Sequence, residues 1–321
     1  MIDILNIEPT KVSKDLQGKY ILIYGAPKVG KTSFSVQMPK NLLLAFEHGF
    51  NALGGIKAVD IDKWTTFKQV IRQLRQPEAK EMYSTITIDT ATIAYTMCED
   101  FICTQQNINR IGDLPYGAGY GLVEKEFQDC LRQITQMGYG IVLIAHSVPR
   151  VEKTPEGSEI EIVSPDLPKR GYKVINQLVD IIGYIDIIWD KEGNEKRVLY
   201  TRKTSQIMAG SRFKYLKSII PFGYKELTDA IAEAVEKEAN ESGSTLVDHE
   251  EEEKKEIERT FIEIREEARE IWEKLVKTDK SNVEKLNKII IDTFGKQIKL
   301  SEITENQKDL FEIVLAEMKE I

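Results

Sequence analysis

The chain has 321 residues, is 41% hydrophobic and carries a formal net charge of −8, with three cysteines. This length predicts a core large enough for one large domain, or for a domain with a smaller module. The sequence has no apolar run long enough for a membrane span, no signal peptide and too few cysteines for a disulfide framework, so we expect a cytoplasmic protein.

Residues 1–18 are predicted to be an irregular lead-in, and strands alternate with amphipathic helices from residue 19 to about 225. The predicted strands are "KYILIYG", "NLLLAFE", "MYSTITIDT", "YGIVLIAHS" and "KRVLYTRKT". The predicted helices are "KTSFSVQM", "WTTFKQVIRQLRQ" and "GLVEKEFQDCLRQITQM", while "YKVINQLVDIIGYIDIIWD" reads as a helix running into a strand. This alternation predicts a mainly parallel sheet in an α/β domain.

The segment "YGAPKVGKTSF" contains the complete G-x-x-x-x-G-K-[ST] motif between a predicted strand and a predicted helix. Its glycines let backbone N–H groups turn toward phosphates, its lysine adds a cation, and its threonine hydroxyl binds Mg²⁺. We therefore expect ATP and Mg²⁺ as ligands; the alternative is a chance glycine-rich turn. The predicted nucleotide-binding residues are Gly25, Ala26, Pro27, Lys28, Val29, Gly30, Lys31, Thr32 and Ser33.

Three polar residues close apolar strands and complete the predicted site. Asp89 ends "STITID" and is predicted to hold the magnesium ion together with Thr32. Glu47 ends "NLLLAFE" and is predicted to be the general base for water. His146 ends "IVLIAH" and could contact the γ-phosphate. With Lys31, Glu47 and His146 form the predicted catalytic set. The alternatives are a helix cap, a solvent-facing carboxylate and a structural histidine.

The order of five segments resembles the RecA-type ATPase core over residues 19–222. These segments are the G-x-x-x-x-G-K-[ST] motif, called the P-loop, followed by "LLLAFEHGFNAL", "TITIDTATIA", "IGDLPYGAGYGLVEKEFQDCLRQI" and "IVLIAHS". The chain resembles more closely the shortened RecA-like proteins of bacteriophages, which bind and anneal single-stranded DNA. The resemblance implies a RecA-type fold, ATP hydrolysis and a homo-oligomer, ring or filament, in the host cytoplasm. It also places the catalytic glutamate at Glu47 and a small hydroxyl at Thr90, and has His146 couple the γ-phosphate to a DNA-binding loop.

In the family that the chain resembles, two mobile loops line the DNA channel, and by position they fall at residues 107–121 and 147–172. Cations in such loops neutralise phosphates, while tyrosines stack on bases without reading sequence. The alternative is a pair of surface loops with incidental charge. The predicted DNA-binding residues are Arg110, Tyr116, Tyr120, Arg150, Lys153, Lys169, Arg170 and Tyr172.

The segment "VLYTRKTSQIMAGSRF" looks like the strand from which RecA proteins extend lysines toward a neighbouring subunit's nucleotide. The matching cations are Arg202 and Lys203, with Arg212 as a third choice. A cation supplied in trans would stabilise the charge of the transition state. The alternative is a set of surface cations on an edge strand.

The chain changes character after residue 225, where we predict a linker or helical connection at residues 226–247 and an acidic helical module at residues 248–321. Residues 1–228 sum to a charge of +3, and residues 229–321 sum to −11. An apolar stripe at helical spacing lies beside this charge. The module could dock a single-strand-binding protein, or it could simply cap the core. The stripe consists of Ile257, Phe261, Ile264, Ala268, Ile271 and Leu275.

Three functions remain open from the sequence. The first is an ATP-hydrolysing protein that binds single-stranded DNA and promotes annealing or recombination. The second is a hexameric helicase-like or clamp-loader-like motor, and the third is a nucleotide-dependent regulator without DNA binding. Cys98, Cys103 and Cys130 lack the spacing of a zinc site, so we expect thiols without a metal.

Overall fold

The computed structural model describes residues 12–14, 16–50, 53–153, 157–242, 246–247, 261–279 and 281–319. It divides into two compact units, one of Pro9–Glu252 and the other of Met1–Glu8 with Glu253–Ile321. Every helix in these ranges is too short or too polar to cross a bilayer.

The regular elements of the described residues alternate along the first unit and are helical in the second. The strands are β1 Val12–Ser13, β2 Tyr20–Gly25, β3 Asn41–Ala45, β4 Ala58–Asp60, β5 Thr85–Asp89, β6 Gly140–Lys153, β7 Glu159–Pro165, β8 Ile181–Trp189, β9 Glu195–Tyr200, β10 Gly210–Ser211, β11 Ile219–Pro221 and β12 Leu246–Val247. The helices are α1 Lys31–Ser35, α2 Trp64–Gln73, α3 Pro77–Met82, α4 Ala91–Gln106, α5 Ala118–Gln136, α6 Lys169–Leu178, α7 Tyr224–Ser242, α8 Phe261–Thr278, α9 Asn282–Phe294 and α10 Lys308–Met318.

The main sheet has the strand order β11-β9-β8-β2-β6-β5-β3-β4, with β10 pairing with β8 and β7 with β6. The strands from β4 to β8 in this order pair in parallel, whereas β9 and β11 add antiparallel pairs at one end. The predicted α/β fold with a mainly parallel sheet is therefore confirmed. The lead-in contributes a short ladder of its own, because β1 pairs with β12.

Strand β2 divides the apolar core of the first unit into two clusters. Its residues Leu22 and Tyr24 lie in a cluster with side chains of α2, α4, α5 and α6. Its residues Ile21 and Ile23 lie in the opposite cluster with α1 and α7. Helices thus cover both faces of the sheet, which explains why the central strands are apolar on both sides.

Helix α7 extends the packed core beyond the boundary predicted at residue 225. Its residues Leu227, Ile231 and Val235 are at most 3% exposed and belong to the same cluster as α1. These residues recur every four positions, so they form one stripe that the sheet buries. Residues 226–242, which lie in the predicted linker or helical connection, therefore form a helix that packs in this core.

The segment 147–172, predicted to be a mobile loop, forms a β-hairpin followed by a helix. Strand β6 continues past the main sheet to Lys153 and pairs antiparallel with β7, and α6 begins at Lys169. Runs such as "EIEIVSP" alternate in the manner of strands, which favours pairing over a loop. Strand β7 and helix α4 have no counterpart among the predicted elements.

The segment 107–121 contains two short 3₁₀ turns, Ile111–Asp113 and Pro115–Gly117, before helix α5 begins at Ala118. Gly119 in this helix leaves room for the Ile111 carbonyl, since a Cβ there would lie 2.4 Å from that oxygen. The turns are thus packed against the start of α5, and the predicted loop is shorter than expected.

The second unit contains helices α8, α9 and α10 around an apolar core of its own. Ile264 and Ala268 of the predicted stripe are fully buried there, whereas Ile257 lies outside the described residues. Phe311 and Val314 of α10 are also fully buried. The prediction of a helical C-terminal region is confirmed.

Candidate nucleotide and nucleic-acid sites

The P-loop connects the end of β2 to the start of α1. Gly30 precedes α1 with a φ of 106°, a conformation that L side chains rarely adopt. Gly25 is the last residue of β2, and a Cβ there would lie 2.9 Å from the carbonyl oxygen of Ile185. Both motif glycines therefore occupy positions at which a side chain would strain the loop.

Lys31 lies in the concavity of this loop. It is 6% exposed, and its ammonium donates hydrogen bonds to the carbonyl oxygens of Gly25 at 3.0 Å and Ala26 at 2.8 Å. Burial lowers the pKa of Lys31, and the nearby carboxylates of Asp89 and Glu47 act in the opposite direction. These carboxylates favour the charged form, so the loop holds a cation where an anionic phosphate could pair with it.

Thr32 and Asp89 form the predicted metal pair. The Thr32 hydroxyl donates a 2.7 Å hydrogen bond to Asp89 Oδ2. Burial raises the pKa of Asp89, while the Thr32 bond and the charge of Lys31 oppose the rise. A hydroxyl and a carboxylate are oxygen ligands of the kind Mg²⁺ prefers beside substrate phosphates, so the pair fits that ion. Within the described ranges no cluster of three or more His, Cys, Asp or Glu side chains could hold a metal alone.

Glu47, His146 and Lys31 form a chain of contacts. His146 Nδ1 lies 3.4 Å from Lys31 Nζ, and His146 Nε2 lies 3.4 Å from Glu47 Oε2. The ammonium can only donate, so Nδ1 accepts and Nε2 carries the proton toward Glu47. The Glu47 backbone N–H also donates to the Asp89 carbonyl at 3.0 Å. Glu47 follows β3, Asp89 ends β5 and His146 lies on β6, so neighbouring strands bring together the three acids and bases chosen from the sequence.

Helix α4 begins two residues after Asp89, and Thr90 caps its N-terminus. The Thr90 hydroxyl accepts a 3.4 Å hydrogen bond from the Ile93 backbone N–H and is fully buried. Thr90 therefore fixes the start of α4 next to Asp89, one of the two predicted metal ligands.

Comparisons with known proteins agree with this geometry. The AAA_24 family model, described as an AAA domain, matches residues 17–213. The chain belongs to this family. Its members' P-loop core accounts for the nucleotide motif described above, so the chain is a P-loop NTPase of the AAA class.

Two similar proteins extend the comparison. The SPbeta prophage-derived uncharacterized protein YorG of Bacillus subtilis (strain 168) is 31% identical over 330 residues, which cover 100% of this chain and 98% of YorG. The KaiC-like protein PH0186 of Pyrococcus horikoshii OT3 is 13% identical, with a TM-score of 0.37 over 66% of this chain and 94% of that structure. The first likeness relates this AAA family member to a phage-derived protein; the second is too slight to carry an argument.

Two of the three predicted trans-acting cations are bonded within their own chain. Arg202 donates to the carbonyl oxygens of Ser211 at 2.8 Å and Lys214 at 3.0 Å, and also to that of Phe213. Arg212 pairs with Asp180 at 3.0 Å. Lys203 is exposed. These contacts give Arg202 and Arg212 a structural task, so Lys203 is the strongest remaining candidate for a contact in trans.

The first predicted DNA-binding segment presents aromatic rings to solvent. Tyr116 is fully exposed at a φ of 56°, and Tyr120 is 42% exposed. The side chain of Arg110 is exposed, and its backbone N–H donates to Asp113. The Tyr116 ring is accessible on all sides, and the Tyr120 ring in part, and stacking on a base requires such access.

The second predicted segment divides into exposed and structural residues. Arg150 donates to the Leu167 carbonyl at 2.5 Å and fastens the base of the hairpin. Tyr172 is half-buried against the core, and burial raises its pKa. Lys153 and Lys169 are exposed.

The two segments meet at Arg170 and Tyr120, where the guanidinium lies 5.5 Å from the ring centroid. Arg170 also pairs with Glu124 at 3.1 Å, and Lys173 pairs with the same carboxylate at 2.5 Å. Arg170, a predicted phosphate-binding residue, thus contacts Tyr120, a predicted stacking residue. Glu124 offsets part of the positive charge of Arg170 and Lys173.

Arg197 of β9 is a contact of the P-loop that the sequence did not indicate. Its Nη1 donates to the Val29 carbonyl at 3.2 Å, and its guanidinium lies 5.9 Å from the centroid of Phe222. The pairing of β9 with β8, and of β8 with β2, brings it there. The only signal in the sequence is a cation in a predicted strand, which several other positions share.

Proposed function

We propose that this protein is a Mg²⁺-dependent ATPase that binds single-stranded DNA and promotes its annealing or recombination in phage DNA metabolism. The observation that carries the ATPase part is the cluster of Lys31, Thr32, Asp89, Glu47 and His146 at one edge of the sheet. The family supports nucleotide binding, and this cluster supplies the groups that hydrolysis requires.

Each residue has a distinct task in the proposed reaction. Backbone N–H groups of the P-loop and the Lys31 ammonium bind and orient the phosphates. When bound by Thr32 and Asp89, Mg²⁺ would neutralise charge on the phosphate oxygens. Glu47 acts as the general base that takes a proton from the attacking water. His146 orients Glu47 through its Nε2 proton.

The DNA part of the proposal rests on the exposed surface around Tyr116, Tyr120 and Arg170. Aromatic rings beside cations suit single strands, because stacking tolerates any base and the cations follow the backbone. The phage-derived relative supports a place in phage biology. His146 lies at the start of the β6 segment that forms the hairpin with β7, so changes at the phosphate can reach this surface through β6.

Binding of fluorescent poly-dT, measured by anisotropy over a range of salt concentrations with and without ATP-γ-S, tests this function. We expect tight, salt-dependent binding that ATP-γ-S strengthens, without strand displacement on a forked duplex. Strand displacement coupled to ATP would instead identify a motor. Absence of poly-dT binding under all conditions would contradict the DNA part and leave a nucleotide-dependent regulator.

We further propose a homo-oligomer, ring or filament, and a single-strand-binding protein as partner of the C-terminal unit. A cavity of about 710 Å³ in that unit is lined by Arg265, Arg269, Trp272 and Lys299, and also by Glu302 and by Glu273, which pairs with Arg269. Cations and an aromatic ring in an otherwise acidic region suit an acidic, partly apolar peptide. Sedimentation of the protein with such a partner should show a complex, which Arg265→Glu should abolish.

A further inference from the structure

The hairpin of β8 and β9 extends beyond the P-loop edge of the sheet. Strand β2 ends at Gly25, which pairs with Ile185, whereas β8 continues to Trp189. At roughly 3.3 Å per residue, Trp189 lies about 13 Å beyond that pair. Residues Asp186–Trp189 thus pair on one side with β9 alone, and we name this projecting part, together with residues 190–197, the β8–β9 arm.

One face of the arm carries a cation and exposed apolar side chains. Cross-strand partners share a face of a sheet, so Ile187 lies beside Arg197 and Trp189 beside Glu195. Ile187 is 44% exposed and Trp189 is 66% exposed. Large apolar side chains exposed together commonly mark a binding surface.

This face is the one that the P-loop adjoins. Ile185, two residues before Ile187, lies in the cluster that contains α1, as does Leu199, two residues after Arg197. The hydrogen bond from Arg197 to the Val29 carbonyl confirms the direction. Phe222 continues the surface, because its ring packs 5.4 Å from that of Phe34 in α1.

The strand order sets the direction of a nucleotide in this site. Asp89 ends β5, Glu47 follows β3 and His146 lies on β6, and all three strands are on one side of β2. These groups serve the γ-phosphate, so the terminal phosphate points toward β6. The nucleoside at the other end of the triphosphate must then point toward β8 and β9, where the arm stands.

The charges along the arm fit a nucleotide, in which the phosphate end is anionic and the base end is uncharged. Arg197, next to the P-loop, suits the phosphate side, whereas Glu195 at the tip would repel an anion. The tip therefore suits an uncharged ring, for which the Trp189 indole offers a stacking surface.

The tip is also held in place before any ligand binds. Asp190 accepts hydrogen bonds from the backbone N–H groups of Glu192 and Asn194, both at 2.9 Å, and pairs with Lys196 at 3.1 Å. These bonds keep the pKa of Asp190 well below its usual range. A fixed turn of this kind lowers the entropic cost of binding.

We propose that the face of the β8–β9 arm formed by Ile187, Trp189 and Arg197 is the nucleoside-binding subsite, with the base stacked on Trp189. This inference rests on the proposed nucleotide function and adds the part of the site that recognises the base. It makes the affinity for ATP exceed that for inorganic tripolyphosphate, which has the phosphates but no base.

Calorimetric titration of the full chain with ATP and with tripolyphosphate, each with Mg²⁺, separates the two parts of the site. Trp189→Ala should weaken ATP binding about tenfold or more and leave tripolyphosphate binding unchanged. Trp189→Phe, which keeps an aromatic ring, should restore most of the ATP affinity. Ile188→Ala, which removes an exposed apolar side chain from the opposite face of the same arm, is the matched control.

Three results would be read differently. If wild-type protein binds neither ligand, the nucleotide function itself is wrong. If it binds both and Trp189→Ala leaves their ratio unchanged, the subsite is wrong and the nucleotide function stands. If Trp189→Ala lowers the sedimentation coefficient without changing the ratio, the arm contacts a second copy of the chain, which also overturns the subsite. Because Trp189 is exposed, the melting temperature should not change.

Discussion

At the residue scale, the Lys31 ammonium is the group on which phosphate affinity depends most. It is buried inside the loop, where it donates hydrogen bonds to two backbone carbonyl groups and has the carboxylates of Asp89 and Glu47 nearby. A neutral side chain at this position would leave the concavity without its cation. The neighbouring acids would then repel a triphosphate.

Lys31→Ala should therefore abolish detectable binding of a fluorescent ATP analogue, since the phosphate loses its charged partner while two carboxylates remain. Equilibrium titration followed by fluorescence measures this. Lys80→Ala, which removes an exposed lysine of α3, should bind like the wild type. Unchanged affinity in Lys31→Ala would refute the P-loop assignment.

Asp89 gives a prediction about stability and pH. Burial raises its folded-state pKa above the ordinary value of 3.8, so ionisation of Asp89 destabilises the nucleotide-free fold at neutral pH. That penalty is absent below the unfolded pKa and appears as the pH rises through the folded one. Asp89→Asn should thus melt at a higher temperature than wild type at pH 7–8 without Mg²⁺ or nucleotide.

The gain from Asp89→Asn should shrink as the pH falls toward the ordinary carboxyl pKa, because the wild-type side chain then becomes neutral as well. Thermal melts followed by circular dichroism across this pH range measure the difference. A variant that is less stable than wild type at pH 8 would show that the charge of Lys31 outweighs burial.

At the element scale, helix α7 completes the apolar core of the domain predicted at residues 19–225. Its residue Ile231 is fully buried against the cluster that also holds Phe34 of the P-loop helix. Packing of α7 therefore supports the face of the sheet on which the nucleotide loop is built.

Ile231→Ala should lower the free energy of unfolding of this unit by about 2–5 kcal/mol, since a buried methylene-rich side chain leaves a cavity. Urea denaturation in a Trp272→Phe background, followed by the fluorescence of Trp64 and Trp189 in this unit, measures it. Ile219→Ala is the matched control, because Ile219 is 49% exposed and its truncation should cost much less. Equal losses in both variants would show that α7 is peripheral.

The secondary-structure elements show how much of the fold the sequence predicts. The strands that lead to Gly25, Glu47, Asp89 and His146 could be predicted, because each is an apolar run followed closely by a chemically distinctive residue. The hairpin after His146 was missed because the resemblance implied a mobile loop at residues 147–172, although the alternation in "EIEIVSP" favours a strand. The sequence predicts a linker or helical connection at residues 226–247, and it does not indicate what the apolar stripe of α7 contacts.

The same limits apply to the site. Lys31, Thr32 and Asp89 follow from a local motif and a strand end, so their proximity is predictable. Arg197 reaches the P-loop only through the register of β8 and β9, and register depends on pairing across the sheet. The tasks of Arg202 and Arg212 likewise depend on carbonyl groups and a carboxylate that tertiary structure brings to them.

At the scale of the whole molecule, the central claim is that one cluster both holds ATP and primes water to cleave it. In the proposed mechanism, Lys31 and the P-loop bind ATP, and Glu47, in contact with His146, activates the water. Lys31 is the first residue of α1 and Glu47 follows β3, so substitution of one residue should leave the task of the other measurable.

Phosphate release by the full chain, measured with saturating ATP and Mg²⁺ in wild type and Glu47→Gln, tests this claim most directly. Glu81→Gln, an exposed acid of α3, is the control. We predict that Glu47→Gln binds ATP as the wild type does while its turnover falls by about 10²–10⁴-fold. Undiminished turnover in Glu47→Gln would contradict the account, because the base would then lie elsewhere.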